Sequence, residues 1–170
     1  LALAVSIEKT LKIKTELKWP NDLTIKGKKI AGILIDASIE SNKIDYIIIG
    51  IGINFKIKPE TVTKSIKSSQ RNYGITTLIK KDQKANPIEI VQQFLFELEQ
   101  SYNRVVSDSI GQIRKEWSKR SSTIGKNITA TTTTGILKGK AIGIDKTGAL
   151  LLSNRGKVQR LLAGDITYKN

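Results

Sequence analysis

Lys18-Trp19-Pro20-Asn21-Asp22-Leu23-Thr24-Ile25-Lys26-Gly27-Lys28-Lys29-Ile30-Ala31-Gly32-Ile33-Leu34 carries the strongest structural signal in the chain. Pro20-Asn21-Asp22 is turn chemistry, since Pro presets φ and the short Asn and Asp side chains can bond nearby backbone. Leu23 to Ile25 then reads as a short strand, Lys26-Gly27 as a tight reversal and Ile30 to Ala37 as the returning strand, which together make a β-hairpin. Working outward, Ile13 to Trp19 reads as a strand. Before it, Leu1, Ala4, Val5, Ile7 and Leu11 mark a helix buried over much of its circumference and ending near Lys12. After the polar turn Glu40-Ser41-Asn42, Ile44 to Ile53 is so rich in β-branched residues that it predicts a central strand covered on both faces.

Lys56 to Lys84 has weak periodicity and many Ser, Thr and Lys residues, and reads mostly as loop with room for one short helix. Asn86-Pro87-Ile88-Glu89 is a helix start, with Asn as N-cap, Pro in the first turn and Glu at the capping-box position. Val91, Phe94, Leu95, Leu98, Tyr102 and Val105 continue it as one apolar stripe, predicted to lie on the sheet. A shorter helix through Ile110, Ile113 and Trp117 follows. From Ser121 the chain turns to short β-type runs, at Ile128 to Thr134, Ile136 to Ile144, Ala149 to Leu152 and Val158 to Leu162, as in a small barrel or sandwich. The expected fold is α/β of the α+β type, a mixed β-sheet with helices mainly on one face over residues 1–120, plus a small C-terminal β-barrel over residues 121–170.

The 170 residues carry 29 Lys plus Arg against 15 Asp plus Glu, a surplus of 14 positive charges. Without Cys or His, the chain has no disulfide framework, no thiol nucleophile, no thiolate metal site and no imidazole base. Any catalysis must rest on charge, backbone dipoles and positioning. The basic surplus suits a nucleic acid, but the Lys residues are scattered and the aromatic content of 5% is too low for a base-stacking surface, so nucleic-acid binding is not expected. A basic surface also suits an acidic protein partner. The longest uncharged apolar run, Tyr46 to Ile53, falls far short of the roughly 20 residues that span a bilayer. No secretory signal is visible, so a soluble, cytoplasmic protein is expected. With no Met at all, the chain reads as a fragment or processed piece.

Several residues invite a chemical reading. Pro20-Asn21-Asp22 by itself is most often just a turn, but Asn21 and Asp22 at a hairpin entrance can also present polar groups to a nucleotide. Lys29 comes seven residues after Asp22 across a tight reversal, which returns it beside the carboxylate. A lone Lys in a basic hairpin is ordinarily a solvated side chain, whereas an ion-paired, immobilised Lys is what a phosphate-activating site needs. Gly50-Ile51-Gly52 lacks the third glycine of a dinucleotide fingerprint. Two glycines in a buried strand leave a strip free of side chains, against which a flat or extended ligand can lie; a bulge or close helix contact is the plain alternative. Asn54, with amide donor and acceptor, can read an adenine edge at the end of that strand.

Taken together, Lys18-Trp19-Pro20-Asn21-Asp22-Leu23, the later Lys29-Ile30-Ala31-Gly32-Ile33-Leu34, and Ile49-Gly50-Ile51-Gly52-Ile53-Asn54 resemble the biotin protein ligases in order and spacing. Gly143-Ile144-Asp145, Gly148-Ala149-Leu150 and Ala163-Gly164-Asp165-Ile166 extend the resemblance into the C-terminal part, where it implies an SH3-like barrel. It implies a two-step ATP-dependent ligase in which biotin is activated as biotinyl-5'-AMP and then passed to a lysine of a biotin carboxyl carrier domain. By this resemblance Lys29 contacts the biotin carboxylate and the α-phosphate, and Asp22 and Asn21 orient it and the nucleotide. Gly32, Gly50 and Gly52 flank biotin, and Asn54 meets the adenine. Biotin and ATP are substrates, Mg²⁺ arrives with the ATP phosphates, and no protein metal site is expected. A lipoate or octanoate ligase, or a non-catalytic basic nucleic-acid-binding module, is the alternative, and a homodimer stays open. Asp36 stands where the family usually has Glu, and Ala163-Gly164-Asp165 stands for Gly-Gly-Glu. The family's Gly- and Arg-rich loop, which lies ahead of the first helix, is not in the sequence, so this chain by itself is expected to bind biotin and ATP weakly. The helix-turn-helix domain of some members is not visible either, and no repressor role is inferred.

Overall fold

The computed structural model describes residues 1–41, 43–58, 74–80, 82–107 and 109–168. Helix α1 (Ala2–Leu11) ends where Lys12 takes a left-handed conformation and its N–H bonds back to Glu8. Strands β1 (Glu16–Lys18), β2 (Asp22–Ile25), β3 (Lys28–Glu40) and β4 (Lys43–Ile53) then form one sheet in chain order, each pair antiparallel. Lys26 and Gly27 both have positive φ, 50° and 75°, as the tightest two-residue hairpin requires. The strand expected over Ile13 to Trp19 shrinks to three residues. The room left for a helix in the Lys56 to Lys84 stretch lies largely outside the described residues.

Helix α2 (Pro87–Val106) starts as its sequence predicts: the Asn86 side chain accepts from the Ile88 N–H at 3.0 Å, and its amide donates to Glu89 at 3.4 Å. Helix α3 (Ile110–Arg120) follows. Leu3, Ala4 and Ile7 of α1, Leu17, Leu23, Ile30 and Ala31 of the sheet, and Ile90 of α2 share one core with Leu78 and Ile79. The remaining strands, β5 (Asn127–Thr132), β6 (Gly135–Ile144), β7 (Leu150–Asn154), β8 (Lys157–Leu161) and β9 (Asp165–Tyr168), pair in the order β8-β7-β6-β5-β9 around a second core. The last of them, β9, has no counterpart among the expected strands.

Three expectations are corrected. The first sheet is antiparallel between all its named strands rather than mixed; parallel contact among the described residues is limited to the isolated bridges Leu17–Ser121 and Lys29–Ile75. The strand expected to be central and covered on both faces is β4, the last in its sheet among the described residues; its first part is open, with Ile44 at 63% and Ile48 at 56% exposure, while Ile51 and Ile53 pack against the first core. Its composition expresses a demand for cover that the described residues do not meet. Finally, α2 packs against α1 rather than on the sheet. Ile90 is buried and Phe94 and Leu98 partly so, while Val91, Leu95, Tyr102 and Val105 are exposed. Periodicity locates an apolar stripe but does not say which neighbour meets it.

Candidate active site

The hairpin brings Asp22 and Lys29 together through an irregularity. Asp22 pairs with Gly32 and Leu23 with Ala31, but Thr24 pairs with Lys29, so Ile30 is an extra residue in β3. Strict alternation from Gly32 would turn Lys29 to the opposite face. The bulge restores it to the face of Gly32 and Asp22, while Ile30 and Ala31 both stay in the core. The Lys29 Nζ sits 2.5 Å from Asp22 Oδ1, with the Lys29 side chain 28% exposed and that of Asp22 only 7%. A Cβ placed on Gly32 would stand 3.1 Å from the Lys29 Nζ and 3.6 Å from Asp22 Oδ1. The absence of a side chain at Gly32 is therefore what lets the ammonium lie across the strand.

Gly52 pairs with Gly32, and a Cβ there would meet nothing within 4 Å. Gly50 pairs with Leu34, whose carbonyl a Cβ would approach to 3.7 Å. The three glycines thus form a bare patch across β3 and β4 next to the ion pair. Asn21 is exposed, and its amide donates to the Ile33 carbonyl at 2.9 Å. The Asn54 amide donates to the Lys29 carbonyl at 3.4 Å, and its backbone joins Ile30 and Leu78. Part of what Asn54 does is therefore to brace the strand that carries Lys29. A groove of about 510 Å³ opens beside the pair, lined in part by Lys18, Asn21, Asp22, Ile33, Trp117 and Leu162. Lys29, Gly32, Gly50, Gly52 and Asn54 are not among its described lining residues.

The spacing of the motif gives Lys18 no role, yet the structure puts it beside the Asp22–Lys29 pair. Its side chain is 5% exposed, with Nζ 3.9 Å from Asp22 Oδ2 and 6.0 Å from the centre of the Tyr168 ring. Burial pushes its ammonium below the ordinary lysine range, with Asp22 pulling it back up, Lys29 pushing it down and Asp165 pulling it up. Three consecutive buried residues, Leu17, Lys18 and Trp19, are not a period-2 strand pattern. Leu17 packs in the first core, while Trp19 packs in the core of the β5–β9 module docked on this corner. Among the described residues no three His, Cys, Asp or Glu side chains are grouped to hold a metal, and no helix is long and apolar enough to cross a membrane.

An ion-paired lysine beside a bare glycine patch, on a hairpin that abuts a small five-stranded module, defines a site suited to binding an anionic group and aligning it against a flat partner. Residues 2–54 match the Biotin/lipoate A/B protein ligase family, and residues 123–167 match the Biotin protein ligase C terminal domain. The chain is 32% identical over 166 residues to the bifunctional ligase/repressor BirA of Bacillus subtilis, covering 98% of this chain and 50% of that protein. It is 28% identical over 156 residues to a biotin–[acetyl-CoA-carboxylase] ligase of Paracoccus denitrificans, covering 89% and 62%. The fold is similar to that of a biotin protein ligase from Aquifex aeolicus in complex with biotin and ATP, with a TM-score of 0.76, 22% identity, and coverage of 99% of this chain and 67% of that one. The chain belongs to the biotin protein ligase family. It spans about half the length of the BirA proteins it matches.

Proposed function

We propose that the protein carrying these residues activates biotin with ATP and transfers it to a lysine of a biotin carboxyl carrier domain. The observation that carries this reading is the Lys29 ammonium held 2.5 Å from the Asp22 carboxylate against Gly32. In the first step a carboxylate oxygen of biotin attacks the α-phosphorus of ATP, pyrophosphate leaves, and biotinyl-5'-AMP forms. Two anions must meet, so the requirement is positive charge and alignment rather than a base. That suits a chain without His or Cys. In the second step the acceptor amine attacks the biotinyl carbonyl carbon and AMP leaves. In this reading Lys29 faces the negative charge that develops in both steps.

In this reading Asp22 orients Lys29, and Gly32, Gly50 and Gly52 form the floor on which biotin lies. Asn21 and Asp22 face the nucleotide, and Asn54 supports the adenine end while bracing β3. Mg²⁺ enters with the ATP phosphates as part of that substrate, keeping most of its waters. The domain division at residues 120 and 121 and a cytoplasmic setting belong to the same reading.

The test is biotin-dependent exchange of labelled pyrophosphate into ATP, followed by transfer to a carrier domain, with octanoate and lipoate as competing acids. Lys29→Ala should lower the exchange rate about a hundred- to a thousandfold, the scale of losing one charged contact to the transition state. A loss under tenfold removes Lys29 from this role. Faster activation of octanoate than of biotin points to the lipoate side of the family.

A further inference from the structure

Asp22 lies between two ammonium groups that differ in kind. Lys29 meets Oδ1 and is 28% exposed; Lys18 stands on the side of Oδ2 at 3.9 Å and is 5% exposed. Lys29 has solvent to turn into, whereas Lys18 is the last residue of β1, paired in register with Asp22 itself. The residues on either side of Lys18 are tied to the β5–β9 module. The Leu17 carbonyl accepts from the Ser122 N–H at 2.9 Å, the Trp19 N–H donates to Thr123 Oγ1 at 3.1 Å, and the Trp19 indole donates to the Gly148 carbonyl at 3.1 Å. Thr123 Oγ1 is in turn 3.3 Å from the Tyr168 hydroxyl, and the Tyr168 ring faces Lys18.

We propose that Lys18 is a positioning residue for the adenylating site, its buried ammonium holding the Asp22 carboxylate from the side of the β5–β9 module so that Lys29 is free to engage the anionic substrates. This rests on the ligase reading above. A carboxylate as buried as Asp22 needs a counter-charge at all times. If Lys29 swings toward a phosphate, a second cation that cannot follow it helps to keep Asp22 an ordered anion. Lys18 is that cation, and burial without a nearby carboxylate would cost it too much to persist. Burial pushes its proton equilibrium down, Asp22 and Asp165 pull it part of the way back and Lys29 opposes them, so the net stays below the ordinary lysine range. The consequence is that the C-terminal module takes part in the chemistry through one side chain, by fixing where β1 ends.

The experiment compares Lys18→Met, Lys18→Arg, Asp22→Asn and the double variant Lys18→Met/Asp22→Asn in biotin-dependent pyrophosphate exchange, with thermal melts alongside. Lys18→Met should lower kcat at least tenfold while leaving KM for biotin within threefold. Lys18→Arg, which keeps the charge, should recover to within fivefold of the parent. In the Asp22→Asn background, removing Lys18 should change kcat less than threefold, because Lys18 acts through Asp22. Loss of that non-additivity, or equal impairment of the Arg and Met variants, overturns the proposal. If Lys18→Met alone does not fold, Asp22→Asn against the double variant decides: near-equal rates uphold it, and a further tenfold fall overturns it. Absence of biotin-dependent exchange in the full-length protein that carries these residues overturns the ligase reading itself, and this inference with it. An active parent indifferent to Lys18 overturns only the inference.

Discussion

Gly32 carries an unusual burden for a strand residue. A methyl group there would press on the Lys29 amine at 3.1 Å and on its Cε at 3.2 Å, the far end of a flexible side chain. Gly32→Ala should therefore fold with a melting temperature near that of the parent yet lose exchange activity at least tenfold, because the lysine is displaced from Asp22. Gly52→Leu asks a different question. Nothing stands within 4 Å of its missing Cβ, so the substitution should leave folding intact while filling the floor. The expected outcome is a rise of at least tenfold in KM for biotin, read by the same assay. At this scale the pairing of Lys29 with Asp22 was legible from their spacing across a two-residue reversal. The means was not: the extra Ile30 that brings Lys29 to the right face depends on hydrogen-bond register, which side-chain types do not encode one by one.

At the scale of elements, the start of α2 was readable to the residue because capping is local chemistry. Asn86→Ala removes the acceptor for the Ile88 N–H and should cost about 1 kcal/mol in a denaturant titration. How α2 packs was not readable. It meets α1 through Ile90, Phe94 and the Lys9–Glu97 pair at 2.7 Å. Burial pushes the Glu97 carboxyl up, but its bonds from Lys9 and Gln93 together hold it below the ordinary carboxylate range. A carboxyl lowered in the folded state stabilises above its unfolded value, and that contribution is lost as pH falls through the folded one. Thermal melts should show Glu97→Gln less stable than the parent at pH 7, by up to about 1 kcal/mol given the exposed lysine, with the gap closing toward pH 3. Equal gaps at both pH values would assign the loss to packing. The β-branched run of β4 forms the strand its composition predicts, but the described residues leave much of it uncovered, since cover is supplied by other parts of a molecule.

On the scale of the whole molecule, two cores meet at a pair of tryptophans. Trp19, 4% exposed, belongs to the core of the β5–β9 module although it follows β1, and Trp117 packs against both cores. Trp19→Ala should lower stability by about 3–5 kcal/mol, measured by denaturant unfolding, and should loosen the module from the hairpin. Leu34, Ile35, Ile47 and Ile48 of β3 and β4 are exposed and leave an apolar surface uncovered by the described residues, the kind of surface that drives association. The 170-residue polypeptide by itself should self-associate on a sizing column at micromolar concentration, and Ile47→Lys with Ile49→Lys should shift it toward monomer.

Residue order by itself determined what is local: the hairpin with its two-residue turn, the capped start of α2, the β character of the C-terminal part, and the lysine and aspartate set to meet. Each follows from backbone preferences and short-range hydrogen bonds that a few neighbouring residues control. Tertiary structure alone decided the rest. It left β4 last in its sheet among the described residues, turned α2 onto α1, bulged β3 at Ile30, and buried Lys18 between Asp22 and the C-terminal module. These are contacts between segments as much as 129 residues apart, such as Trp19 with Gly148. Their energies come from surfaces removed from water together, a quantity that no single stretch of chain possesses.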